Sequence, residues 1–494
     1  MSILGISCGF HDAALSILSK EGEILFASSS ERYSRIKNDP QICRSLVNAI
    51  QEYSIDSIAY YEIPLMHQAR KLISGQGIVL KNTLTSNILI DQLGLNGLDI
   101  SEIPYRRYNH HLSHAAAGFQ TSPFNSAAVV VIDAIGEFET ITIYQAQYDK
   151  KGNAKYKKLW RQYYPHSIGL FYSAVTKYVG LKPMDEEYIT MGMAAYGNMA
   201  ACGGEMYDKF IKDVYNVEFK ENLLIGINQT LAGRKEDAAA AAQWITENMI
   251  NAVMSRAQEL TGEDNLVYMG GVALNCLANR NLGNYFKNIW IMPNPGDSGS
   301  SLGAAALAFK KKVDWKDAYL GYEIPGPYPV NNIIANLLSD GIVGVASGRA
   351  EFGPRALGNR SLLADPRIPD IKQRVNDIKQ RQQFRPFAPA ILEEHVDDYF
   401  RMPRGFTNSR YMQVVADCRL PDLYPAICHV DGTSRVQTVP ADGSGFRRLL
   451  EAWYHVSGCP MLLNTSLNIR GEPMVNDRRD ADRFQRRYKI TVCS

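Results

Sequence analysis

The stretch NHHLSHAAAGF, residues 109–119, gathers His110, His111 and His114 in a chain that has only nine histidines. Imidazole ligates divalent metals through a neutral ring nitrogen. His110 and His114 are four apart, so on a helix both leave the same face and can reach one ion. The alanines that follow favour a helix. An HxxxH pair by itself is nevertheless more often a polar helix end whose histidines are satisfied by ordinary hydrogen bonds. A second candidate is NLVYMGGVALNCLANR, where an apolar strand runs into Gly270-Gly271 and then a helix. Glycine lets backbone amides approach an anion, and a helix N-terminus favours negative charge, so phosphate could sit there; a tight strand-to-helix turn explains the pair equally well. In IWIMPNPGDSGSSLGAAALAF a strand delivers Asp297 to the head of an alanine-rich helix, where it can cap the helix or bind a cation. Further on, EFGPRALGNRSLLADPR and NDIKQRQQFRPFAPAIL crowd arginines and a lysine among Gly and Pro. That composition suits the clasping of phosphate or carboxylate, with a solvated basic face as the alternative.

The elements that must position these groups read as a duplication. At the N-terminus come a short strand ILGIS, a turn holding His11 and Asp12, a strand AALSIL, an EG turn and a strand EILFASS. The same order returns at AAVVVID (127–133), AIGEF, ETITIYQAQY, DKKGN and AKYKKLWRQYY. Two such three-stranded units, each with an acidic residue in its first turn, resemble in pattern a two-lobed actin-like or sugar-kinase-like ATPase, although similar hairpins occur in many α/β folds. Helical periodicity dominates LFYSAVTKYVG and EDAAAAAQWITENMINAVMSRAQELTG. The Gly-, Pro- and Tyr-rich segment 317–332 breaks both periodicities and marks a boundary, giving domains of 1–320 and 321–494.

Composition narrows the partners. A chain of 494 residues exceeds one ordinary core, and 46% apolar with 21% charged residues is a globular balance. A net charge of +2 argues against binding driven by bulk attraction to nucleic acid or anionic membrane, and favours small-molecule partners. No apolar run reaches membrane-spanning length and MSILGISCGF lacks the features of a signal peptide, so a cytoplasmic location is expected. The eight cysteines form no CxxC pair, which fits reduced thiols and no zinc finger.

Taken in order, HDAALSIL, NHHLSHAAAGF, VVIDAIGEFETIT, MGMAAYG, GGVALN, NPGDSGSSLGAA, EFGPRALGNRSLLADPR, FRPFAPAIL and MLLNTSLNIRGEP resemble the O-carbamoyltransferase family of natural-product and nodulation-factor biosynthesis. The resemblance implies an α/β fold: a duplicated actin-like ATPase domain, similar to the tRNA threonylcarbamoyl-transfer ATPase, followed by a smaller α/β (α+β) domain that forms carbamate. It implies that His110, His114, Asp133 and Asp297 hold a divalent metal, Fe(II) first and Mn(II), Zn(II) or Mg(II) as alternatives. An N2O2 set suits such ions and leaves positions open for phosphate, while the lack of thiolates weakens a structural zinc. Lys379, Arg381, Arg435, Ser466 and Asn468 resemble the carbamoyl phosphate site, with Lys379 and Arg435 also catalytic. Gly270, Gly271 and Asn275, with Gly136 and Glu137 of the other lobe, are the implied ATP contacts. His11 beside Asp12 is the candidate general base, with a turn histidine that only holds the acceptor as the alternative. The implied reaction carries a carbamoyl group from carbamoyl phosphate, through carbamoyl-AMP, to a hydroxyl of a small-molecule natural product of the antibiotic or alkaloid-toxin class. Neither nucleic acid nor membrane is an expected partner, and a homodimer is compatible.

One stretch departs from the family pattern. EPMVNDRRDADRFQRRYKITVCS turns arginine-rich without the apolar helix and strand pattern expected there, so the chain reads as truncated or altered after about Asn476. Three other functions fit the residues less well. A maturation protein that carbamoylates a cysteine would add an acylphosphatase-like region and CxxC fingers. A tRNA-modifying enzyme would need a basic face. A catalytically inactive ATP-binding module would have no reason to keep Lys379, Arg435, Ser466 and Asn468.

Overall fold

ILGIS and AALSIL are aliphatic on both faces, so the strands they form must be covered on both sides. In the computed structural model, which describes residues 2–494, they are β1 (Ser2–Ser7) and β2 (Ala14–Ser19), antiparallel to each other, and β3 (Ile24–Ser29) continues the meander. Next, β4 (Ile55–Tyr60) and β5 (Tyr105–Arg107) add in parallel on the far side of β1, giving the order β3-β2-β1-β4-β5. The design recurs. Strands β6 (Ser126–Ile132), β7 (Glu139–Tyr148) and β8 (Ala154–Tyr163) form a second antiparallel meander. After a small hairpin of β9 (Ile211–Asp213) and β10 (Glu218–Phe219), β11 (Asn265–Met269) and β12 (Asn288–Trp290) extend that sheet in parallel. Its order, β8-β7-β6-β11-β12, repeats that of the first sheet, so the duplicated α/β lobes expected from the sequence are the topology of the chain. The long amphipathic segment is the helix Lys235–Thr261.

Two helices bind the lobes together by crossing over. The helix His110–Thr121 follows β5 of the first lobe but packs on the second sheet: a side chain on Gly118 would lie 2.5 Å from Val267 and 2.6 Å from Met269. The helix Ser300–Phe309 follows β12 of the second lobe but packs on the first sheet, where a Cβ on Gly5 would meet the Ser301 carbonyl at 1.9 Å. The two helices also touch, and a Cβ on Gly303 would fall 1.8 Å from the Ser113 carbonyl oxygen. Alanine and glycine are therefore obligatory along NHHLSHAAAGF and SSLGAAA, because backbone meets backbone there. The consequence is that the N-terminal ends of both helices converge.

The chain divides into two compact units, residues up to 30 with 40–316, and residues 31–39 with 317–494. A single cut near residue 320 has no place for ERYSRIKND, which leaves the first lobe and packs within the second unit. The buried Arg32 guanidinium donates to the carbonyls of Gly353 (3.1 Å) and Glu351 (3.4 Å). Arg35 donates to Pro473 (2.8 Å) and Met474 (2.7 Å) and pairs with Asp480 at 3.1 Å. The second unit is built on a six-stranded sheet in the order Gln437–Val439, Ala388–Leu392, Met461–Ser466, Arg360–Ala364, Ile342–Ala346 and Val492–Cys493. A separate three-stranded sheet carries Phe400–Arg401, Val415–Cys418 and Thr433–Arg435. Among the described residues no helix is long and apolar enough to cross a membrane.

The arginine-rich end forms one helix and one short strand. Residues Arg478–Tyr488 form a helix capped by Asp477, whose carboxylate accepts from the Asp480 amide (2.9 Å), and Val492–Cys493 then adds in parallel to Ile342–Ala346. Its apolar side is only Ala481, Phe484 and Tyr488, spaced three and four apart, and the arginines between them hide this narrow stripe from a periodicity reading. Phe484 is buried in the core of the unit whereas Arg486 is exposed. Phe484→Ala should therefore cost about 3 kcal/mol in urea unfolding, and Arg486→Ala less than about 0.5 kcal/mol; equal effects would show that the helix does not dock.

Candidate active site

The converging helix ends assemble the first site. The helix His110–Thr121 starts at Asn109, which caps it by accepting from the Leu112 amide at 3.3 Å, so His110 and His114 occupy its first two turns on one face. Asp133 follows the last residue of β6, and Asp297 opens the turn before Ser300–Phe309 without capping either that turn or the helix. His110 Nε2 lies 3.2 Å from Asp133 Oδ2 and 3.4 Å from Asp297 Oδ1. His114 Nε2 lies 3.4 Å and 3.2 Å from the same two atoms, and 3.2 Å from His110 Nε2. All four residues are buried, with one donor atom from each inside a 4.8 Å sphere of mutual separation.

Those distances fit a metal. Ligand bonds of about 2.1 Å place neighbouring donors roughly 3.0–3.4 Å apart at octahedral to tetrahedral angles. The second nitrogen of His114 settles its tautomer: Nδ1 donates to the Pro295 carbonyl at 3.1 Å, which leaves Nε2 with a lone pair for an ion. Asp133 is held likewise, its Oδ1 accepting from the amides of Ala134 (2.9 Å) and Gly271 (3.2 Å) while Oδ2 faces the histidines. His111 turns away, its Nδ1 2.9 Å from Thr142 Oγ1.

Charge accounts for the rest of the cluster in its metal-free form. Burial works to raise both aspartates, but His110 and His114 together outweigh it at Asp133, and His110 with His11 outweighs it at Asp297, so both carboxylates titrate below their usual range. Burial likewise works to lower His110 and His114, and the aspartates override it, raising both. His11 sits at the edge, Nδ1 3.0 Å from Asp12 Oδ2 and Nε2 3.8 Å from Asp297 Oδ2; burial opposes its proton, but Asp297 and then Asp12 raise it to about 9.

Of the residues that the family resemblance implies as nucleotide contacts, Gly136, Glu137, Gly270 and Gly271 lie beside this cluster or the strand end that carries it. Gly270 has φ +91°, and a Cβ there would lie 2.1 Å from the Ile132 carbonyl, so the GG turn is pressed against the end of β6 and carries the amide that holds Asp133. A turn of 3₁₀ helix, Gly271–Leu274, follows it before the short helix Cys276–Asn279. Gly136 gives room to imidazoles, since a Cβ would stand 2.8 Å from His110 and 2.9 Å from His111. Glu137 is buried and accepts from the amides of Ile63 (2.6 Å) and His110 (3.3 Å) and from the Asn109 side chain; burial, partly offset by these amides, raises it to about 7. Asn275 caps Cys276–Asn279 and exchanges two hydrogen bonds with Gln243, which also accepts from Tyr172 (2.8 Å). Gln243 and Tyr172 were missed from sequence because they lie inside helices with no motif around them.

The second unit brings Lys379, Ser466 and Asn468 together. The buried Lys379 ammonium donates to the carbonyls of Ser466 (2.5 Å) and Asn468 (2.8 Å) and to their side-chain oxygens (3.2 and 3.1 Å), and Ser466 Oγ lies 2.6 Å from Asn468 Oδ1. Among the described residues no carboxylate joins this shell. Burial, reinforced by Arg381 and Arg385, therefore depresses the Lys379 pKa well below its usual range. Arg381 donates to Asn376 Oδ1 (2.6 Å) and stacks on Phe387 at 4.0 Å. Arg435 closes the strand Thr433–Arg435 of the three-stranded sheet.

With this geometry in view, comparison with known families is informative. Residues 2–306 match the model of the Carbamoyltransferase N-terminus and residues 334–493 that of the Carbamoyltransferase C-terminus. The chain belongs to the carbamoyltransferase family. Relatives of this carbamoyltransferase include the Synechocystis protein sll1178, itself uncharacterized, 33% identical over 97% of this chain and 93% of its own. Nodulation protein NolNO of Sinorhizobium fredii is 31% identical over 95% and 76%, and nodulation protein U of the same species 26% over 95% and 94%. Among solved structures, full-length HypF in its phosphate- and nucleotide-bound form aligns with TM-score 0.36 and 14% identity over 64% of this chain and 56% of that one.

The pH dependence of the metal-free enzyme follows from the signs. Raised histidines stabilise the fold below their unfolded value of 6.5 and lose that contribution as pH rises through the folded value, about 9 for His11. Depressed aspartates contribute above about pH 4 and fail only in acid. Stability measured by urea unfolding should thus fall between about pH 6.5 and 9 without metal, and Mn(II) at a hundredfold excess over its Kd should restore about 2.7 kcal/mol at the alkaline end. His114→Ala should abolish the restoration; a flat metal-free profile would contradict the assigned ion pairs.

Proposed function

We propose that this carbamoyltransferase uses carbamoyl phosphate and ATP to place a carbamoyl group on a hydroxyl of a small-molecule acceptor. The observation that carries the reading is Lys379, a buried ammonium among neutral oxygens of Ser466 and Asn468, with Arg381 and Arg385 pressing on its charge. Such a site is short of negative charge, and a small phosphate dianion supplies it while Ser466 and Asn468 orient the carbamoyl amide. Arg381 and Arg435 add to the anion's clasp.

A carbamate is a poor electrophile, because its nitrogen donates into the carbonyl. Loss of phosphate from carbamoyl phosphate to water gives carbamate; its oxygen attacks the α-phosphorus of ATP and displaces pyrophosphate, forming carbamoyl-AMP. The acceptor hydroxyl then adds to the carbamoyl carbon and AMP leaves. His110, His114, Asp133 and Asp297 would hold a divalent ion that supplies neutralisation of phosphate charge. The amides of the Gly270-Gly271 turn, with Gly136 and Asn275, border the nucleotide, and Glu137 keeps the His110 helix start in place for it. His11 takes the acceptor proton. Its own proton is held chiefly by Asp297, so a cation drawing on Asp297 favours the neutral imidazole that a base requires.

Lys379→Ala tests the reading. Phosphate release from carbamoyl phosphate should fall at least about 100-fold, as for removal of a transition-state charge partner, while ATP affinity in equilibrium dialysis stays within about twofold. Loss of both together would place carbamoyl phosphate and ATP in one site and overturn this division of labour.

A further inference from the structure

The two metal-facing imidazoles are supported unequally. A ligating histidine has its other ring nitrogen engaged by a carbonyl or carboxylate, which sets tautomer and ring orientation. His114 has the Pro295 carbonyl. His110 has its Nδ1 buried and without a hydrogen-bond partner, although the ring is only 3% exposed as a residue and its Nε2 faces Asp133 and Asp297. A buried ring nitrogen of this kind is costly unless something accepts from it.

One carboxylate faces that nitrogen. Glu62 follows β4 and precedes the helix Pro64–Ile73; it is 4% exposed, and its Oε2 stands 3.9 Å from His110 Nδ1. The carboxylate is fixed from two other directions, Oε2 by His67 Nδ1 at 2.9 Å and Oε1 by the Tyr60 hydroxyl at 3.4 Å. His67 sits one turn into the helix and is itself buried, so the Glu62–His67 pair is part of the frame. Neither Glu137 nor Tyr61 offers an alternative: the Glu137 oxygens are taken by Ile63, His110 and Asn109, and Tyr61 presents its ring to His110 at 5.2 Å between centroids. A buried acidic side chain aimed at the rear of a ligand imidazole and braced by a second histidine has no use in packing that an apolar residue would not serve better.

We propose that Glu62 is the positioning residue of His110, accepting its Nδ1–H so that Nε2 is the nitrogen presented to the metal, with His67 and Tyr60 holding the Glu62 carboxylate in place. The inference rests on the reading of His110, His114, Asp133 and Asp297 as a metal site and adds to it the group that makes one of those ligands competent.

The test is Mn(II) binding to the metal-free full-length chain, followed by isothermal titration calorimetry. Glu62→Gln keeps size and shape, and should weaken Mn(II) binding about 10- to 100-fold, with its urea midpoint in the absence of metal close to that of the wild type. An affinity within twofold of wild type in folded Glu62→Gln would overturn the proposal and leave the metal site standing. No Mn(II) binding by the wild type, or full binding by His114→Ala, would overturn the metal site and this inference with it. If Glu62→Gln does not fold, the wild type loaded with Zn(II) decides: ¹⁵N-selective NMR of the His110 ring should show a slowly exchanging proton on Nδ1. A proton exchanging freely with water at that position would rule Glu62 out.

Discussion

Asp133 and Asp297 bring two buried negative charges against the same pair of imidazole nitrogens, and their mutual repulsion opposes Asp297's ionisation. The facing aspartates raise the proton affinity of His110, His114 and His11 against the effect of burial. On the proposed reading a cation would compete for the same imidazole nitrogens, and binding it would release those protons. Backbone groups hold most of the site, the Pro295 carbonyl at His114 and the amides of Ala134 and Gly271 at Asp133, because buried charges keep their geometry best when their polar atoms are engaged; His110 Nδ1 is an exception.

The convergence depends on two helices that exchange lobes. His110–Thr121 lies on the sheet of the second lobe and Ser300–Phe309 on that of the first, with contacts at Gly5, Gly118 and Gly303 too close for any side chain. This crossing aims the start of one helix and the turn before the other at the end of β6, where Asp133 stands. The Gly270-Gly271 turn closes the fourth side by giving Asp133 an amide. A small displacement at any of the glycines would separate donors now 3.2–3.4 Å apart.

Much of this was legible in the residues. Strand periodicity gave the duplicated meanders, and the helical spacing of His110 and His114 gave a shared face. The set Lys379, Ser466 and Asn468, read by family resemblance, does meet in space. What escaped notice had physical causes. Glu62 and His67 lie in PLMHQA and the residues before it, where a single acid and a single imidazole carry no spacing signal, and only the fold turns them toward each other. The excursion 31–39 looks like ordinary polar chain, because its arginines work by donating to distant carbonyls that no local pattern announces. At the end of the chain, three apolar positions among arginines are enough for a helix that packs on the core of its unit. Gly136 and Glu137, expected from the family resemblance to contact nucleotide, also make room for His110 and tether the start of its helix, a packing task that no motif announces.

On the proposed reading, carbamate forms in one unit and is adenylated in the other, and carbamoyl-AMP is the compound that requires both. The most direct measurement is mass spectrometry of the full chain incubated with carbamoyl phosphate, ATP and a divalent metal in the absence of any acceptor, with phosphate and pyrophosphate assayed in parallel. The account predicts carbamoyl-AMP with both by-products, all three dependent on carbamoyl phosphate, and no adenylate from His114→Ala. Phosphate and ATP turnover without an adenylate in folded, metal-loaded protein would contradict it.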